Sequence, residues 1–266
     1  MARRHKVLLI GSSGVTFSES GPADTLGGLL ERELTRRAPE AEWECLCFEA
    51  SPTRNMADVV SATVEREAGD VVLLAPASSY FTYEYVVVRL RRISPRLYAR
   101  TVAWTTWLKR MAGGGLEGSA SPRGWLFRAP RWVGARVLGM EPRMKVEYAI
   151  ENTTAALRWL VKQESVVTLV KLPTTSFELA GPRASVYLGR LNQFNDALHA
   201  TCREHHVPCY ELREAIGEAG AEARKGSDGS HWPIEVRRWD AGYLAGLVIE
   251  QLQLDNRQAL MPSRRA

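Results

Sequence analysis

Short apolar runs of strand length alternate with amphipathic helical patterns along most of the chain, and this alternation limits the fold more than any other feature. The runs cover 6–10, 43–48, 70–75, 165–172 and 207–212. The first is followed by a helical pattern with Pro22 near its start and Leu26, Leu29, Leu30 and Leu34 on one face. Further helices are expected over about 56–68, 153–162 and 186–206, with a closing helix over about 234–252. Nearly continuous apolar strands, each trailed by a helix, predict a parallel sheet covered on both faces. Ligands of such sheets sit beyond the carboxyl ends of the strands. The loops after strands one, three and five are therefore where chemistry is expected.

Residues 82–148 break the rhythm. Residues 83–111 read as one or two amphipathic helices, with Val86, Val87, Leu90, Ile93 and Leu97 on one side and a break at Pro95. Gly113, Gly114 and Gly115 follow, then Trp125, Phe127 and Trp132 interleaved with arginines. This segment holds 13 Arg and Lys against 4 Asp and Glu, so it carries all the positive excess of a chain whose net charge is +5. It is expected to be a basic helical insertion or cap after strand three, within a single domain spanning 1–266.

A basic face of this kind suits a lid, a docking surface for an acyl carrier protein or acyl-CoA, or peripheral contact with an acidic membrane. Nucleic acid is not expected as a partner, because the segment has neither a recognised module nor a repeated aromatic–basic stacking pattern. The chain contains no run of about 18 apolar residues, the length a spanning helix needs. The amino terminus reads as a first strand and carries no secretory signal. Cys45, Cys47, Cys202 and Cys209 lack metal-ligand spacing and are expected to be reduced thiols of a cytoplasmic protein, with no metal or other cofactor.

Two loops hold the residue types of covalent catalysis. The first strand runs straight into Gly11-Ser12-Ser13-Gly14. Near the other end, Asp228 and His231 stand three apart in a Gly/Ser-rich loop before the last helix. A carboxylate that close can accept the imidazole Nδ1 proton, fix the tautomer and leave Nε2 to take a proton from a hydroxyl. Both loops belong to the same rim of the predicted sheet, so the order Ser…Asp…His supplies a nucleophile, an orienting carboxylate and a base.

Leu8-Leu9-Ile10-Gly11-Ser12-Ser13-Gly14-Val15-Thr16 resembles the first block, G-D-S-x-x-T/S, of the SGNH/GDSL esterase–lipase family. Ser227-Asp228-Gly229-Ser230-His231-Trp232-Pro233 resembles its last block, D-x-x-H-P. With the α/β rhythm between them, the resemblance covers about three quarters of the chain and leaves out residues 82–148. It implies a three-layer α/β sandwich with a five-stranded, mostly parallel sheet of SGNH/flavodoxin-like type, to which the helical insertion after strand three, read from its own pattern, is added. By motif position Ser13 takes the nucleophile's place, His231 the general base's and Asp228 that of its orienting carboxylate. Ser12 occupies the family's Asp position and is the alternative nucleophile.

The family's middle blocks supply a Gly after strand two and an Asn after strand three as oxyanion-hole donors. Here Ala50 and Ser51 follow strand two, and Ala77 and Ser78 follow strand three, with no asparagine. The oxyanion donors implied for this chain are the Ser13 and Gly14 amides together with Ser51 and Ser78. The implied activity is hydrolysis or transfer of an acyl group from a small ester or thioester through a Ser13 acyl-enzyme. The alternative is a non-catalytic protein of the same fold that uses the cleft or basic cap to recognise an anionic or acyl partner.

Other readings of these residues are weaker. A G-x-S-x-G elbow normally lies deep in an α/β-hydrolase chain, and here it is a near miss at the start. G-x-G-x-x-G is absent, and Glu49 is the closest candidate for a ribose-binding acid. An anion nest at Gly11–Gly14 would leave Asp228 and His231 without work. His205 and His206 are expected at a helix carboxyl end, and Asp240 as a surface ion-pair partner on the last helix.

Overall fold

The computed structural model describes residues 3–18, 21–53, 55–82, 84–111, 140–174, 184–216 and 231–260. In chain order the strands are β1 (Arg4–Gly11), β2 (Glu42–Glu49), β3 (Val71–Ala75), β4 (Glu84–Tyr85), β5 (Glu141–Pro142), β6 (Val167–Leu172) and β7 (Cys209–Glu211). The helices are α1 (Ser13–Thr16), α2 (Leu26–Arg37), α3 (Met56–Glu67), α4 (Val86–Ile93), α5 (Pro95–Met111), α6 (Val146–Val161), α7 (Ala184–Glu204), α8 (Leu212–Ile216) and α9 (Ile234–Leu260).

Five strands form one sheet in the order β2-β1-β3-β6-β7, and each neighbouring pair is parallel. Side chains alternate across it with the strand period of two. Leu8, Ile10, Val72, Leu74, Val170 and Leu172 pack on the side of α3, α6 and α7. Val7, Leu9, Val71, Leu73 and Leu169 pack on the side of α2 and α9. The result is the expected three-layer α/β sandwich. Its strand order reverses between β1 and β3, which is where an open parallel sheet leaves a crevice beyond its carboxyl edge.

Local chemistry explains where the elements depart from expectation. The first long helix starts at Leu26, because Thr25 caps it by accepting a hydrogen bond from the Gly28 amide at 3.1 Å, and Pro22 belongs instead to a separate 3-10 turn, Pro22–Asp24. Pro95 opens α5, and the Leu97 amide donates to the Ser94 hydroxyl at 3.3 Å, so the expected break is a junction between two helices. α6 begins at Val146, not near 153, since Val146, Ala149 and Thr153 continue its buried stripe. α9 runs on to Leu260.

The segment after β3 adds a feature that periodicity did not predict. β4 and β5 pair antiparallel as a two-residue ribbon, Glu84 against Pro142 and Tyr85 against Glu141. Arg89 and Arg92 of α4 both pair with Glu141, which ties that helix to the ribbon. The glycine joint and Trp125, Phe127 and Trp132 lie outside the described residues. No helix among the described residues is long and apolar enough to cross a membrane.

Cys45, Cys47, Cys202 and Cys209 are free cysteines. Burial pushes the Cys45 and Cys47 thiols up, well away from a reactive thiolate.

Candidate active site

The turn after β1 is shaped by a close backbone approach. A Cβ on Gly11 would stand 2.2 Å from the Ala75 carbonyl oxygen, so only glycine fits where β1 passes the end of β3. Gly11→Ala is expected to cost about 3 kcal/mol or more of stability, read as a lower midpoint in urea, because a fixed strand neighbour has to move. The Ser12 amide donates to the Ala75 carbonyl at 3.2 Å, and the Val15 amide donates to the Ser12 carbonyl at 2.9 Å.

The Gly14 amide donates to the Ser12 hydroxyl at 3.2 Å. Ser12 is thus the N-cap of the one-turn α1, and Ser13 is that helix's first residue. Asp and Ser serve equally well as N-caps. That accounts physically for a serine standing where the GDSL block has aspartate.

Beyond β1, β3 and β6 lies a cavity of about 370 Å³. Ser12, Gly14 and Phe17 wall it from the β1 side, Ala77, Ser78 and Ser79 from the β3 side, and Thr174 from the β6 side. His231, Trp232, Arg237 and Asp240 close it from the start of α9. The structure therefore brings the two ends of the chain to one cavity, with His231 and both neighbours of Ser13 in its wall. Asp228 lies outside the described residues.

His231 is held by its ring face. It stacks on Phe17 with centroids 3.8 Å apart and planes 1° from parallel. Both ring nitrogens lie on the edge of the imidazole, so stacking fixes its plane without consuming either one. Arg237 locks the same contact from below. It is 4 % exposed, lies over the Phe17 ring at 5.3 Å, and donates to the carbonyls of Phe17 at 3.3 Å, Trp232 at 3.1 Å and Asp24. One buried guanidinium thus joins the loop after β1 to the loop carrying His231.

Asp240 departs most from expectation. It is 2 % exposed and forms part of the cavity floor. Its carboxylate pairs with Lys171 and accepts the Tyr210 hydroxyl at 3.0 Å. Burial, with Asp240 alongside, raises the Tyr210 phenol well above its usual range and keeps it a donor. A signal was present: Asp240 precedes buried Ala241 by one residue and buried Leu244 by four, the helical spacing that puts it on the covered face. Phe17 and Arg237 left no comparable trace, since no spacing rule links a loop aromatic to a helix 220 residues away.

The oxyanion candidates are distributed unevenly. Ser78 lines the cavity from a 3-10 turn, Ser78–Tyr80. The Gly14 amide faces the Ser12 hydroxyl, as described above. Ser51 does not line the cavity; its hydroxyl donates to the Tyr80 hydroxyl at 2.7 Å. Just before it, the Ala50 amide is taken by the Gly11 carbonyl at 2.6 Å. Among the described residues, no group of three or more His, Cys, Asp and Glu is placed to hold a metal ion.

The sheet and its flanking helices have the three-layer fold of solved GDSL-type esterases. The chain is similar to Est24, a carbohydrate acetylesterase from Sinorhizobium meliloti, with 10% identity and TM-score 0.51 over 92% of this chain and 99% of that one. It is similar to the aryl esterase of M. smegmatis, with 12% identity and TM-score 0.53 over 93% and 99% of the two chains. It is also similar to a putative lipolytic protein of the G-D-S-L family from Desulfitobacterium hafniense, with 9% identity and TM-score 0.53 over 91% and 98%. No protein-family model matches the sequence, and a search of curated proteins gives no match.

Proposed function

We propose that the protein is a serine hydrolase of SGNH/GDSL type that cleaves or transfers the acyl group of an ester or thioester through Ser13. The observation that carries this reading is the shared cavity, walled by His231 and by the turn that holds Ser13. Ser12 is occupied as a helix cap, which favours Ser13 as the nucleophile. In the proposed cycle His231 takes the Ser13 hydroxyl proton as Oγ bonds to the acyl carbon, and the carbonyl electron pair moves onto oxygen. The Ser13 amide and the Ser78 hydroxyl would stabilise that oxyanion, while the Gly14 amide caps the turn through the Ser12 hydroxyl.

The tetrahedral adduct collapses, the bond to the alcohol or thiol breaks, and His231 returns the proton to the leaving group. Water or a second alcohol then releases the acyl group by the same steps in reverse. Asp228 would hold the imidazolium in orientation. Exposed arginines of α4 and α5, among them Arg91, Arg96 and Arg100, would receive an anionic acyl donor such as an acyl carrier protein or acyl-CoA.

A fluorophosphonate probe tests the assignment. Wild-type protein and Ser12→Ala should label, whereas Ser13→Ala should not. Labelling of Ser13→Ala but not of Ser12→Ala would move the nucleophile by one residue. The rival, a non-catalytic binding protein, draws support from the consumed Ala50 amide. A folded wild type that never labels would select it.

A further inference from the structure

The charges that wall the cavity are unbalanced. Among the described residues they comprise the cations Arg143, Lys171 and Arg237 and one carboxylate, Asp240. Lys171 is neutralised by Asp240. Arg237 is buried and fastened to backbone carbonyls. Arg143 is different: it is exposed, and no carboxylate of the described residues pairs with it. Adding Asp228 to the wall would still leave the cations in excess.

Arg143 is held by a built platform. Its guanidinium carbon lies 4.7 Å from the centre of the Tyr85 ring and 5.4 Å from that of Tyr80. The Tyr80 hydroxyl accepts from Ser51 at 2.7 Å, and the Tyr85 hydroxyl donates to the Ser79 carbonyl at 3.4 Å. Next to Arg143, the Met144 amide donates to the Tyr80 carbonyl at 3.0 Å. Aromatic rings engage the face of a guanidinium, while its five N–H donors lie in its plane. The stack therefore orients the cation without spending the donors that grip an oxyanion in bidentate fashion. Arg143 also borders a second, more open cavity of about 990 Å³, so a group bound there has room to extend.

We infer that Arg143 is a substrate-anchoring residue and that the preferred ester carries an anionic group, a carboxylate or a phosphate, away from the bond that is cleaved. This rests on the hydrolase reading of the same cavity. It differs from a docking face for a large anionic partner in placing the recognised charge on the substrate itself.

The test compares kcat/KM for neutral 4-nitrophenyl butyrate, 4-nitrophenyl hemiglutarate and 2-acetoxyethyl phosphate, with acetate release followed for the last. The wild type is expected to prefer at least one anionic ester at low salt. Whichever it prefers tells whether a carboxylate on the acyl side or a phosphate on the alcohol side meets Arg143. Arg143→Gln should lower the anionic-to-neutral ratio about ten- to a hundredfold, chiefly through KM, and Arg143→Lys should restore part of it. An unchanged ratio in Arg143→Gln, with an unshifted melting curve, overturns the inference, as does a wild type that prefers the neutral ester.

If no ester turns over and the fluorophosphonate fails to label, the hydrolase reading falls separately. Calorimetric titration with glutarate and with inorganic phosphate then decides the anchor alone. Binding that weakens at least tenfold in Arg143→Gln sustains it, and no binding by the wild type removes it.

Discussion

Replacing His231 by alanine is expected to lower kcat/KM for ester hydrolysis by about 10³-fold or more, with the melting temperature little changed. The size follows from losing the only histidine among the described residues of the cavity wall while the Ser12–Gly14 turn stays in place. Ser13→Ala should cost at least as much. The informative measurement is the double variant: residues that act as one unit are strongly non-additive, so Ser13→Ala with His231→Ala should be no worse than either alone. Free imidazole added to His231→Ala should recover part of the rate, which a merely structural histidine would not allow. Near-normal turnover by either single variant would end the covalent mechanism.

The second large effect concerns the charge pair under the cavity. Asp240→Asn keeps an acceptor for Tyr210 but leaves the Lys171 ammonium without a counter-charge, with its side chain 17% exposed. Breaking a buried pair from one side costs about 3–5 kcal/mol, equivalent to about 10 °C in Tm for a chain of this size. Lys171→Met combined with Asp240→Asn should recover most of that loss, because it removes both charges and their desolvation cost while Tyr210 keeps an acceptor. Differential scanning calorimetry of the single and paired variants checks both statements. A single variant as stable as the wild type would mean that water already screens Lys171 in solution.

The sheet was legible in the sequence because β1, β3 and β6 are largely runs of apolar residues, and on β1 and β3 both faces are buried. Such strands need no partner to be recognised, whereas their order in the sheet came from the structure. The ribbon of β4 and β5 was not legible: two residues per strand carry no period, and one of the four is Pro142. Gly-Ser-Ser-Gly could be read as a special turn because glycine and serine have few other uses at a strand end. Asp240 was misread since Asp is usually solvated, and only its partners Lys171 on β6 and Tyr210 on β7 make its burial on α9 tolerable. Arg143 resisted reading for a related reason. Its ring partners come from the far side of the 82–148 segment, and arginines are common throughout that segment.

The Arg237 clasp has a consequence for how the protein is made. β1 and its serine turn leave the ribosome early, yet the cavity wall is incomplete until residues 231–240 have emerged and α9 has docked. Closing so long a stretch of chain is entropically slow, so this wall belongs among the late events of folding. A nascent polypeptide stalled before that point would display the Gly-Ser-Ser-Gly turn without the opposite wall of its cavity.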